Sequence, residues 1–168
     1  MTDTTWSEVA AVPDGGDFAG FYERTHPALY RALVLVTRNR HEAEDVMQDA
    51  FLRVWQRWDR VAGMDRPDGY LYRSAMNVFR SRRRRALVAI RRAAGTDRPD
   101  DGLAAADERD SVVRALAPLP ARQRAAIVLT ELLDLTSEQA GEALGIKGST
   151  VRVLAARAKV TLRKELEP

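Results

Sequence analysis

The chain has no cysteine, which excludes disulfides, thiolate metal ligands and a thiol redox switch and agrees with a reducing compartment. Histidine is nearly as scarce, with only His26 and His41. There is also no phosphate-cradling glycine loop and no clustered metal-ligand motif, so the residues present no catalytic constellation. An enzyme is therefore not expected, nor is a cofactor or metal. Long hydrophobic runs are absent: nothing approaches about 18 consecutive apolar residues, and Met1 to Asp17 has no basic start leading into an apolar stretch. A soluble, unexported, cytoplasmic protein without membrane insertion is expected. No segment shows the two-residue alternation of a strand, and the expected fold class is all-α.

Charge is plentiful but unevenly placed. The 168 residues carry 27 Lys and Arg against 24 Asp and Glu, a net charge of only +3. Yet seven of the thirteen residues from Arg80 to Arg92 are arginine and none is acidic, whereas Glu42, Glu44, Asp45 and Asp49 crowd one short stretch. This segregation points to two surfaces, one suited to a polyanion and one to a basic partner.

The apolar pattern divides the chain into two small helical domains joined by a flexible linker. Residues 1–17 are polar, with Pro13, Gly15 and Gly16, and read as a flexible tail. Helical spacing begins at Phe18 and continues through Phe21, Leu29, Leu33 and Val36, with a bend or break expected at Pro27. After the polar connection Thr37 to Arg40, one apolar stripe runs from Ala43 to Trp58. Trp55 and Trp58 lie on that stripe and are expected in the core, while Tyr70 and Tyr72 stay open. Leu71, Ala75, Val78 and Phe79 lead into the arginine run, so the first domain spans residues 18–92. Residues 93–107 hold Gly95, Pro99, Gly102 and paired aspartates, the composition of a linker.

Residues 108–168 form the second domain. Val112, Val113 and Leu116 mark a short helix closed by Pro118 and Pro120, and Pro120 is placed to start the next. Thr136 with Gln139 has capping-box spacing, and Gly145 suits a helix stop. A last helix from about Ser149 places Val151, Leu154, Ala158 and Leu162 inward. Two short helices around a tight turn, with Gly141 at their crossing, are what a helix-turn-helix needs. The outward side then carries Ser149, Thr150, Arg152, Val153, Ala156, Arg157 and Lys159, able to contact base edges and phosphates. An ordinary helical hairpin with a solvated basic face has the same spacing.

Three stretches resemble the sigma factors of the extracytoplasmic-function type. Glu42 to Trp55 (EAEDVMQDAFLRVW) resembles their second conserved region, and Pro67 to Asn77 (PDGYLYRSAMN) resembles the segment that follows it. Leu119 and Pro120 with Arg124, then Leu144, Gly145 and Ile146, then Thr150 and Val151, resemble their fourth region. The resemblance implies that Asp45, Gln48, Asp49 and Leu52, on one exposed flank, dock on the coiled coil of the polymerase β′ subunit. It implies that Asn77, Arg80, Arg83 and Arg84 engage the minus-ten element, and that the last helix reads the minus-thirty-five element. The implied partners are core RNA polymerase through β′ and β, promoter DNA and an anti-sigma factor. Arg152, Val153 and Leu154 depart from the family's usual run after the Thr-Val pair, and Ser149 and Ser81 replace its usual glycine and aspartate. Promoter preference therefore does not transfer. Two alternatives fit the residues alone: a helix-turn-helix regulator acting without polymerase, and a helical protein-binding adaptor.

Overall fold

The computed structural model describes residues 17–94 and 111–166. The expected tail, apart from Asp17, and the expected linker, apart from Ala93 and Ala94, lie outside the described residues. Within those residues there are eight α-helices and one π-turn, and no strand.

Helix α1, Phe18–Thr37, starts where the apolar spacing starts. The break expected at Pro27 does not occur, and the helix runs through it. Proline removes the donor for the Glu23 carbonyl, but Glu23 and Pro27 are both on the solvent side, where water replaces the lost bond. Phe21 on one side and Leu29, Leu33 and Val36 on the other are buried and hold both halves on the same core. The Asn39 side chain then caps α2, Arg40–Trp55, accepting from the Glu42 amide at 3.0 Å.

The single stripe expected as far as Trp58 is divided between two helices. Helix α2 ends at Trp55, and the one-turn α3, Trp58–Val61, follows Gln56 and Arg57. Trp58 is buried, but Trp55 remains 38% exposed although its ring packs 4.8 Å from Phe18. Core placement thus holds for Trp58 and only in part for Trp55, which closes the rim of an aromatic cluster of Phe18, Phe21 and Phe51. Helix α4, Pro67–Ala94, opens with proline in the first turn, where its missing donor costs nothing. Leu71, Ala75, Met76, Val78 and Phe79 are buried, and α4 packs along α2. The arginine-rich half continues the same helix to Ala94, two residues past the expected domain end.

The second domain contains α5, Ser111–Leu116, and α6, Ala121–Ile127, the latter preceded by Pro120. A π-turn, Val128–Leu132, extends α6 and has no signature in the sequence. Helix α7, Ser137–Leu144, has the expected capping box: Thr136 Oγ1 accepts from the Gln139 amide at 3.1 Å, and Gln139 Oε1 accepts from the Thr136 amide at 2.9 Å. Gly145, at φ 67°, ends it. Helix α8, Gly148–Leu166, follows after three residues, and Val151 is wholly buried between the helices. A Cβ on Gly141 would stand 2.6 Å from the Ile146 carbonyl oxygen, so only glycine permits this crossing.

The sequence pattern gives no hint that the two domains touch, yet they do. Helix α4 lies against α7, and α1 lies against α5, α6 and the π-turn.

Gly141→Ala is expected to lower the unfolding free energy by about 1–3 kcal/mol, because backbone rather than a side chain must yield. Thr136→Ala, which loses one cap, should cost about 1 kcal/mol. Urea unfolding followed by circular dichroism compares them, and a smaller loss for Gly141→Ala would show that the crossing is not the limiting contact.

Candidate polymerase and nucleic-acid interface

On α2, Gln48, Asp49 and Leu52 are exposed, Leu52 at 53%. Asp45 is not fully exposed, contrary to the sequence reading. One turn apart, Asp45 and Asp49 both face α4, and Arg82 bridges them, with its Nη2 2.9 Å from Asp45 and its Nη1 3.6 Å from Asp49. The flank is therefore an acidic surface already partly neutralised from below. Burial raises the carboxyl of neighbouring Glu42 above the ordinary value, against the opposing pull of Arg82 and Arg83. Beside Leu52, Tyr22 and Trp55 extend the exposed apolar area.

Asn77 sits in the middle of α4, exposed, and its Oδ1 accepts from Arg80 Nη2. It caps no helix end. Arg80 and Arg84 are exposed and Arg83 half-buried, and Arg80 also donates to the Leu144 carbonyl of the second domain. The four residues thus share one helix but are not equally available.

The sequence reading missed a cleft of about 700 Å³ beside Asn77, lined by Arg53, Arg57, Arg60, Tyr70, Arg73 and Ser74 among others. Arg57 donates to the Tyr70 hydroxyl at 3.0 Å, and the Arg73 guanidinium stands 5.5 Å from the Tyr70 ring centre. The signal was legible: residues 53, 57 and 60 repeat at helical spacing, as do 70, 73 and 77. Tyr72 points inward and is buried, and that burial raises its hydroxyl pKa. Of the two tyrosines, Tyr70 alone lines the cleft.

On α8, Ser149, Thr150, Arg152, Val153, Ala156, Arg157 and Lys159 are all exposed, as expected. Two of the cations are held by acids: Arg152 by Glu138 at 2.7 Å and Lys159 by Glu131 at 2.6 Å. The bond from Arg152 keeps the Glu138 carboxyl below its ordinary pKa. Arg157 makes no ion pair among the described residues. Among those residues no group of three or more His, Cys, Asp or Glu could hold a metal ion, and no helix is long and apolar enough to cross a membrane.

Two family models match the chain. Residues 21–87 match the model of sigma-70 region 2, and residues 109–162 match that of sigma-70 region 4. The chain is 31% identical over 168 residues to the ECF RNA polymerase sigma factor SigM of Mycobacterium tuberculosis, covering 95% of this chain and 84% of that protein. The chain belongs to the ECF sigma factors of the sigma-70 family. RNA polymerase sigma-E factor of Streptomyces avermitilis is 29% identical over 153 residues, covering 90% of this chain and 86% of the relative. Among solved structures, the sigma factor RpoE in its complex with the anti-sigma factor NepR from Bartonella quintana has the same fold. The TM-score is 0.74 at 22% identity, with 90% of this sigma factor and 99% of that chain aligned.

Proposed function

We propose that this sigma factor docks on core RNA polymerase through Asp45, Gln48, Asp49 and Leu52, engages the minus-ten element along α4, and reads the minus-thirty-five element with α8. The observation that carries this reading is the pairing, within residues 21–87, of an acidic α2 flank with an arginine-lined cleft that ends at Asn77. The flank suits the basic side of a β′ coiled coil, and the cleft suits an extruded nucleotide. A regulator without polymerase would have no use for the flank. Residues 18–92 are assigned to polymerase and the minus-ten element, and residues 108–168 to the upstream element and the β subunit. The protein acts without catalysis, cofactor or metal, in the cytoplasm. RpoE was solved bound to an anti-sigma factor, and a partner of this kind is part of the proposal.

Opening needs no catalytic step. Unstacking a base costs a few kcal/mol, and capture of the unpaired base offsets that cost and holds the open state. Tyr70 offers a stacking face for it, and Arg53, Arg57, Arg60 and Arg73 surround it with phosphate-binding charge. Arg80, Arg83 and Arg84 continue the charge along α4.

Asp45→Lys with Asp49→Lys should weaken core polymerase binding at least about tenfold while circular dichroism stays unchanged. Loss of the partly exposed Arg82 bridge removes about 1 kcal/mol of stability. Unchanged affinity in a fluorescence titration with core enzyme would move the docking face elsewhere.

Asn77→Ala should leave thermal stability and core binding intact, because Asn77 caps nothing, yet reduce permanganate reactivity of thymines around minus ten. A premelted bubble template should rescue it. Equal defects on duplex and premelted templates would exclude a role in strand separation.

On α8, Arg157→Ala and Arg152→Ala should both reduce use of promoters that need the upstream element. A base-reading arginine contributes about 1–3 kcal/mol of discrimination, whereas a phosphate contact weakens all sequences alike and lowers the salt slope. Transcription from promoter variants across a salt series separates these. No change for either variant would show that α8 does not read DNA.

A further inference from the structure

The apolar side chains of α8 are mostly explained by the fold. Val151 and Ala158 are buried, and Leu154 and Leu162 are partly buried against the same core. Val153 is not explained in that way. It lies in the second turn of α8 with 49% of its surface open, and a β-branched residue at an exposed helix position is a weaker helix former than alanine. Lone apolar residues are common on protein surfaces, but Val153 stands amid Ser149, Thr150, Arg152, Ala156 and Arg157, all exposed. Ser149, Thr150, Ala156 and Arg157 are its neighbours three and four positions away on the helix surface. Three of those four are short.

Arg152, next to Val153 in sequence, is drawn to Glu138 of α7 at 2.7 Å. The result is an apolar knob flanked by cations. Each base pair presents donors and acceptors to the major groove, and thymine adds a C5 methyl group, an apolar feature on an otherwise polar edge. An isopropyl side chain gains by burying itself against that methyl. It satisfies neither the O6 and N7 acceptors of guanine nor the N4 donor of cytosine, which would lose their water without replacement. The first turns of a recognition helix are the ones that reach base edges. Val160, also exposed, lies two turns further along, roughly 10 Å by helix rise, and so outside those turns.

We propose that Val153 is a specificity-determining residue for thymine in the upstream element, packing on the C5 methyl group of one thymine while Arg152 and Arg157 engage the polar groups to either side. The proposal rests on the reading of α8 given above, and adds to it the base preferred at one position and the atom by which it is chosen. Ser149, Thr150 and Ala156 then have a common use. They keep the helix surface low enough for a side chain as short as valine to reach the base.

The test uses the full chain with core polymerase. Transcription from templates randomised across the upstream element should enrich thymine at one position or more. Deoxyuridine placed there pairs as thymine does but lacks the methyl group, and it should lower open-complex formation about fourfold, the effect of one methyl group left out of burial. Val153→Ala, a change at an exposed position that leaves the core untouched, should weaken use of the thymine template and make thymine and deoxyuridine nearly equal, so that the two losses do not add. A general effect of deoxyuridine on the shape of the duplex would persist in Val153→Ala, and circular dichroism checks that the variant is folded. The methyl contact is overturned if no thymine is enriched, if deoxyuridine serves the wild-type protein as well as thymine, or if Val153→Ala leaves the deoxyuridine effect unchanged. In those cases a loss with Arg157→Ala on the same templates would leave the reading of α8 standing. If neither the bases of the element nor Arg157→Ala matters, that reading falls and this proposal with it.

Discussion

The backbone of the turn after α7 comes so close to α7 that any side chain at position 141 would strike the Ile146 carbonyl. This close approach sets the angle at which α8 leaves the domain. Val151 then drops into the shared core, and the opposite side of α8 turns to solvent. With a wider crossing Val151 would lose its socket, and the residues from Ser149 to Lys159 would no longer form one presented face. The capping box at Thr136 and the left-handed Gly145 serve the same end, since they fix where α7 begins and stops. The C-terminus that Arg80 meets is therefore in a defined place.

Helix α4 divides its arginines among different tasks. Arg82 turns toward α2 and bridges Asp45 and Asp49, Arg80 reaches α7, and Arg73 stands over Tyr70 in the cleft. A run that reads as one basic patch in the sequence is thus several directional contacts, because successive residues on a helix point about a hundred degrees apart. Only the part that remains toward solvent, Arg84 among it, behaves as a simple positive surface.

Much of the fold was legible in the sequence where a local rule decides it. Capping at Thr136, the stop at Gly145, the small residue at 141 and the start at Phe18 follow from spacing alone. Pro27 misled because a proline on the wet side of a well-anchored helix is tolerated. The π-turn at Val128 has no residue signature. The half-burial of Asp45, the capture of Arg80 and the docking of Arg124 on Val36 depend on contacts across 37, 64 and 88 positions of sequence, which no periodicity contains. The cleft around Tyr70 lies between these cases: its spacing was visible, but its enclosure depends on residues from α2, α3 and α4 coming together.

If α8 reads DNA as proposed, the acids that hold Arg152 and Lys159 bear on how this protein finds its sites. A strongly basic face adheres to any stretch of DNA, and a genome offers about 10⁶–10⁹ competing stretches. On that reading Glu138 and Glu131 would reduce that indiscriminate attraction, since each cation would have to leave a carboxylate before joining a phosphate. At a correct site, base-edge contacts supply the return for that exchange, and elsewhere nothing does. The two pairs would then trade raw affinity for a shorter dwell on wrong sequence, and so for a faster search.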